Sequence, residues 1–324
     1  MRLTYRQIEY LREVARQNSI TDAGKELGIS QSSILAAIDV AEEVTGTRLF
    51  ARRKGHGIEM TPAGHKFLVS VRRFLASGDD FERSLAQFTD TTATMATIRI
   101  GCFIPFGALL IPPIVKRYLE AYGDCEIILL EGDQTQLRSW LATGDVDVVV
   151  TYDIGQEYGS GVTPICKFPT HGILNIEDPL AHQESVSMED LAQRPLILLD
   201  LPETRTYLMS VFDLATQRPK IGLRTRSYET VRSAVLNNLG ISILNIRPAL
   251  DTSPDSANLV RVPISDQLRQ PTLLVADPYG DKKPDYVRSF IHVLYQYFVD
   301  LGPENFAVVL PEYSHDLIYP RPDF

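Results

Sequence analysis

Arg52, Arg53 and Lys54 stand together in the stretch Ala51-Arg52-Arg53-Lys54-Gly55-His56-Gly57, between the short extended pieces RLF at 48–50 and IEM at 58–60. Two glycines in a basic turn predict a hairpin whose tip can meet phosphates. Such a run alone is more often a solvated loop. Its setting favours the phosphate reading: residues 1–76 carry twelve Lys and Arg against eight Asp and Glu, a net +4, while the whole chain is −9 and the remainder therefore −13. A basic first quarter on an acidic body predicts that only the N-terminus approaches a polyanion.

Catalytic chemistry finds little support. GxSxG, P-loop, HExxH and GxGxxG patterns are absent, and the six histidines, His56, His65, His171, His182, His292 and His315, have no ligand spacing. Cys102, Cys125 and Cys166 lie far apart without a CxxC, which argues against a disulfide framework or a zinc cage. They read as small buried apolar residues, with a redox switch between two of them as the rival. No metal or cofactor is expected. An enzyme or a transport-binding protein with an unusual N-terminus is the competing class.

The elements that position the basic turn are legible from spacing. Ile8, Leu11 and Val14 repeat at helical intervals, predicting a first helix that ends near Asn18. Ser19 caps a short second helix closed by Gly28, and Ser30 caps a third, in which Ile34, Ile38, Ala41 and Thr45 share a face until Gly46. Two helices joined by a short Gly-containing turn have the layout of a helix-turn-helix, and the basic hairpin after it is a wing. Thr61-Pro62 starts a long helix. Along it Phe67, Val71, Phe74, Gly78, Phe81, Leu85 and Phe88 step by four and three, a heptad seam that predicts pairing with a second subunit rather than with the chain's own core.

At 324 residues, 44% of them hydrophobic and 23% charged, the chain suits two folded domains. It has no run of eighteen apolar residues to span a bilayer and no uninterrupted apolar stretch at its start, so a cytoplasmic protein without a membrane partner is expected. After the small-polar linker TDTTATMAT (89–97), strands and helices alternate: TIRIGC, a helix through PFGALLIPPIVKRYLEAY despite its Pro-Pro, CEIILLEG, QTQLRSWLATG and DVDVVVT. PLILLD, the helix ETRTYLMSVFDLATQ, IGLRTRS, YETVRSAVLNNLG and ISILN form a second such set. Successive βα units predict parallel sheets in two lobes with a ligand crevice at the strands' carboxyl ends.

The ordered stretches IEYLREVARQNSITDAGKELGISQSSI, TGTRLFARR and MTPAGHKFL resemble the LysR-type transcriptional regulators, a likeness covering about residues 3–300. The resemblance implies a multidomain α+β protein: a winged helix-turn-helix (1–61), a linker and dimerisation helix (62–90) and an α/β two-lobed, periplasmic-binding-protein-like effector domain (91–302). Its lobes would be 97–166 with 274–302, and 167–273. The implied partners are double-stranded promoter DNA, a small-molecule effector and further copies of the chain, as a homodimer through the linker helix and a homotetramer. Where the family usually has Pro, Ala, Leu and Ser after its Ser-Gln, this chain has Ser32, Ser33, Ile34, Leu35 and Ala36. Gln31 can pair with adenine and Leu35 and Ala36 can meet thymine methyls, beside Ser32 and Ser33.

By matching positions, the cleft would be lined by Cys102, Phe103, Ile104, Pro105, Thr151 and Tyr152 from one lobe. The other would add Leu201, Thr204, Arg205, Ser227, Tyr228 and Asn245. Bland readings stand beside these: Cys102 and Phe103 as core, Thr204 and Ser227 as helix N-caps, Arg205 as an ion-pair partner of Glu203 or Asp200. If Arg205 faces the cleft, a small organic acid is the expected effector. The segment 303–324 exceeds the family's length, and its prolines and aromatics suit packing against a domain surface.

Overall fold

The computed structural model describes residues 3–53, 57–86, 97–123, 125–155, 157–159, 161–248 and 256–323. Three helices open the chain, α1 (Tyr5–Gln17), α2 (Ile20–Leu27) and α3 (Gln31–Thr45), followed by β1 (Phe50–Arg53) and β2 (Gly57–Met60). Each helix has its own start and stop: Thr4, Ser19 and Ser30 cap the N-termini, and Asn18, Gly28 and Gly46 close the C-termini in the left-handed region. Their apolar faces meet in one core, with Leu11, Val14, Ile34, Ile38 and Leu49 buried. The first strand begins later than RLF suggested, because the Glu42 carboxylate accepts the Leu49 and Phe50 N–H groups at 2.8 and 3.0 Å and turns the chain there. Arg52 and Arg53 are thus strand residues, opposite Ile58 and Gly57. Lys54 lies outside the described residues.

Thr61 Oγ1 accepts the Gly64 N–H at 3.0 Å and starts α4 (Pro62–Ala86). The heptad seam divides. Phe67 and Val71, with Leu68 and Leu75, pack into the chain's own N-terminal core, and Tyr5 lies tilted against Phe74, itself 38% exposed, and fills the space over Gly78, where an added Cβ would lie 2.8 Å from its ring. Phe81 is 63% exposed. The expectation that the whole seam faces a second subunit is therefore corrected for its first half. Phe88 lies outside the described residues.

The rest of the chain forms two lobes. The first contains β3 (Thr97–Phe103), α5 (Ile104–Leu109), α6 (Ile111–Tyr122), β4 (Glu126–Gly132), α7 (Gln134–Thr143), β5 (Val148–Tyr152) and β6 (Val162–Lys167). The second contains β7 (His171–Asn175), α8 (Met188–Ala192), β8 (Leu196–Leu199), α9 (Pro202–Val211), β9 (Ile221–Thr225), α10 (Tyr228–Leu236), β10 (Ser242–Leu244) and β11 (Leu259–Pro263). The chain returns through β12 (Thr272–Ala276) and α11 (Asp285–Leu301), and α12 (Pro303–Phe306) follows.

Three expectations are corrected. The helix expected from Pro105 to Tyr122 breaks at Leu110 (φ −129°, ψ −45°), because Pro112 and Pro113 lack N–H donors and fit only the first turn of a new helix. The helix at 203–217 ends at Val211. The first sheet, ordered β4-β3-β5-β12-β6, is mixed: β3 runs parallel to β4 and β5, whereas β12 runs antiparallel to β5 and β6. The chain leaves the lobe through β6 and re-enters through β12, so these two run in opposite senses without a helical crossover. In the second lobe β8 and β9 are parallel, while β10 and β11 flank β7 antiparallel.

The C-terminal segment packs on its own domain. Phe306 is buried with ring centroids 5.3 Å from Phe168 and 5.1 Å from Phe298. Lys167 N–H donates to Leu317 O at 2.7 Å and Tyr319 N–H to Ile165 O at 2.9 Å, which adds a short pairing along the outer side of β6. The N-terminal and two-lobed units have separate apolar cores. They are joined by polar contacts from α4, where Arg72 donates to Leu141 O and Ala142 O and Arg73 donates to Tyr279 O.

Candidate functional site

Gln31, Ser32, Ser33 and Ala36 are exposed on α3 and Leu35 is half-buried, while Ile34, Ala37, Ile38 and Ala41 on the opposite face are buried. The helix thus presents its first turn outward from a fixed seat. Ser30 Oγ lies 2.8 Å from both the Ser32 and Ser33 hydroxyls and accepts the Ser33 N–H at 3.2 Å. Ser30 is the cap, and with Ser32 and Ser33 it gathers hydroxyls at a helix N-terminus, a natural place for a phosphate oxygen. A short α2 packed on α3, with the β1–β2 hairpin beyond, is a winged helix-turn-helix whose second helix can enter a major groove.

The interlobe face is built at strand ends. Cys102, Phe103 and Pro105 are buried and Ile104 is half-buried. Phe103, Phe106 and Tyr152 form an aromatic cluster with centroids 4.8–5.8 Å apart. Cys102 is core, and burial pushes its thiol up to about 12. Thr151 and Tyr152 are buried at the end of β5, and the Tyr152 hydroxyl has no hydrogen-bond partner among the described residues.

From the other lobe, Leu201 and Thr204 are buried. Thr204 is a third-position residue of α9 rather than its N-cap, which is Leu201. Its hydroxyl accepts from Gln134 Nε2 at 3.4 Å across the cleft. Arg205 is 47% exposed and bonds Asp200 at 3.1 Å, realising its ion-pair reading. Ser227 caps α10 by accepting the Thr230 N–H, and Tyr228 behind it is buried. Asn245 sits where the lobes join rather than on the cleft wall: its amide donates to Phe168 O and Thr170 Oγ1, and Thr170 meets the Tyr207 hydroxyl, which donates to Arg269 O. This network ties both connecting segments to the second lobe.

Several cleft residues escaped the sequence reading. Gln134 is fully buried and its Oε1 has no partner among the described residues. Asp133 caps α7 and pairs with Arg226 of the other lobe at 3.2 Å. Arg138 reaches Glu203 at 3.0 Å, with its guanidinium 5.8 Å from the Tyr158 ring centroid, and Glu203 raises its pKa. The lobes are thus latched by ion pairs on the rim, around buried uncharged polar groups. The available signal was Gly132-Asp133 at the carboxyl end of β4, the usual ligand side of an open sheet. Among the described residues no cluster of His, Cys, Asp or Glu is arranged to hold a metal, and no helix is long and apolar enough to cross a membrane.

Comparison with known proteins covers both units. Residues 5–65 match the family model "Bacterial regulatory helix-turn-helix protein, lysR family", and residues 93–298 match "LysR substrate binding domain". The chain is 24% identical to the HTH-type transcriptional regulator CysB of Haemophilus influenzae over 90% of this chain and 88% of that one. It is 23% identical to the transcriptional dual regulator GltC of Bacillus subtilis, over 91% and 98%. Among solved structures, HinK, a LysR family transcriptional regulator from Pseudomonas aeruginosa, matches with a TM-score of 0.56 and 26% identity over 91% of this chain and 98% of that one. Full-length OxyR from Pseudomonas aeruginosa matches in fold, with a TM-score of 0.67 at 20% identity over 91% and 95%.

Proposed function

The chain belongs to the LysR family of transcriptional regulators, and from that premise we propose how its units divide the work. It is a DNA-binding regulator with an effector-binding domain, not an enzyme. In our reading, residues 1–61 bind promoter DNA, 62–90 link and dimerise, 91–302 bind the effector and 303–324 brace that domain, in a cytoplasmic homotetramer. Gln31, Ser32, Ser33, Leu35 and Ala36 meet base edges, and Arg52, Arg53 and Lys54 meet phosphates. The observation that carries this is the exposed first turn of α3 above a fully buried opposite face.

For the effector, the paired state of the cleft's cations weighs against the organic acid expected from Arg205. The buried Gln134 Oε1 and the Tyr152 hydroxyl, whose ring lies against Phe103, suit a small uncharged polar molecule that donates hydrogen bonds. The test has two arms. Selection of random-sequence duplexes by the full chain is expected to enrich a two-fold site with half-sites a multiple of about 10 bp apart. Recovery of unenriched DNA would overturn the DNA-reading assignment. In a thermal-shift screen, small amides and polyols are expected to stabilise the chain and Gln134→Leu to abolish the shift, whereas stabilisation by carboxylates alone would overturn the uncharged-effector reading.

A further inference from the structure

We infer that Arg72, seated at the C-terminal end of α7, is the positioning residue through which the interlobe cleft acts on the DNA-binding unit. The inference rests on the reading of α3 as the DNA-reading helix and of the lobes as effector-responsive.

Arg72 lies on α4 and is 8% exposed. Its guanidinium donates at 2.5 Å to both Leu141 O and Ala142 O, carbonyls of the last turn of α7 that have no helical N–H to accept from. A cation at a helix C-terminus is favoured by these carbonyls and by the helix dipole. The seat exists because α7 ends on a glycine: Gly144 has φ +86°, and a Cβ there would stand 2.7 Å from Arg72 Nε. Burial lowers the pKa of Arg72 to about 10, so it stays charged at neutral pH.

The opposite end of α7 is held by the second lobe. Asp133 pairs with Arg226, Gln134 donates to Thr204, and Thr135 and Arg138 both bond Glu203. A ten-residue helix, about 15 Å long, is therefore gripped at one end by the cleft and at the other by α4. On the far side of Arg72, Leu68, Val71 and Leu75 of α4 lie in the core that carries α3. The two apolar cores are separate, so this polar joint is a route by which movement of one lobe against the other reaches the DNA-binding unit. Arg73 is the internal control: it donates to Tyr279 O, beyond β12, and among the described residues no hydrogen bond joins its side chain to α7.

The test is a double-mutant cycle on the full chain, read as affinity for the duplex that the native chain selects from random sequence. Glu203→Gln removes the charge that holds Arg138 and so loosens the grip of the second lobe on α7, and we expect it to change that affinity about fivefold. In an Arg72→Met or Gly144→Ala background the same substitution should change it by less than about 1.5-fold. In an Arg73→Met background the fivefold effect should persist. Gly144→Ala crowds the Arg72 guanidinium from the α7 side and leaves the α4 sequence unchanged, so the cycle survives if Arg72→Met fails to fold. Additive effects, no effect of Glu203→Gln in the native background, or equal loss with Arg73→Met would overturn the inference. Loss of sequence selection by the native chain would instead defeat the DNA-binding reading on which it rests.

Discussion

His171 is fully buried in β7, where Nδ1–H donates to Pro169 O at 3.3 Å and Nε2 has no partner among the described residues. Burial, helped by Arg261, lowers its pKa from 6.5 to about 3. Between those values the unfolded chain takes up a proton that the folded chain refuses, so stability falls as pH drops below 6.5 and is unaffected by this group above it. His171→Leu is expected to flatten that decline by about 2 kcal/mol between pH 7.5 and 5, measured by urea unfolding. Equal slopes would show that the ring is protonated in the folded protein. The cysteines are governed by the same burial. Cys102 in β3 and Cys166 in β6 are separated by β5 and β12, about 14 Å at ordinary strand spacing, too far for a disulfide. Burial also pushes both thiols up. Iodoacetamide should leave both unlabelled in the native protein and label both in urea, and native labelling would reopen the redox rival. On the DNA face, Arg52→Ala should weaken binding to every sequence and flatten its salt dependence. Gln31→Ala should cut discrimination by about 1–3 kcal/mol, read by competition between the selected duplex and a scrambled one.

Among the elements, α4 shows what spacing could and could not reveal. Its four-three repeat announced a long helix with an apolar seam, yet a seam facing a partner and one facing the chain's own helices have the same period. Tyr5 bears on the choice by filling the space over Gly78 and flanking a still-exposed Phe74, while Phe81 stays outside. Phe81→Glu should therefore shift sedimentation toward the monomer with the fold intact, whereas Leu75→Ala should cost about 2–5 kcal/mol of stability and leave association alone. The Leu110 break is written in Pro112-Pro113, although the apolar run through it keeps one helical period. The caps at Ser19, Ser30, Thr61 and Ser227 were legible because a cap needs only its own next three residues. The sense of β6 and β12 was not, since it depends on where the chain leaves and re-enters a lobe. The pairs Asp133–Arg226 and Arg138–Glu203 join residues 93 and 65 positions apart, a distance at which no local pattern speaks.

At the scale of the molecule, two cores joined by a polar contact predict two melting transitions in calorimetry, with the selected duplex raising only the one that belongs to the winged unit. A single transition would show that the joint couples the units as strongly as a shared core. The pairing of Leu317 and Tyr319 along β6 has a practical side. Without it, β6 would end the sheet with bare N–H and C=O groups, beside the apolar surface that Phe306 now covers. Such an open edge invites aggregation. A chain cut after Gly302 should be insoluble or form polymers, while one ending at Asp323 should stay dispersed. Residues 303–323 work as a hem, finishing a border that would otherwise stitch itself to its neighbours.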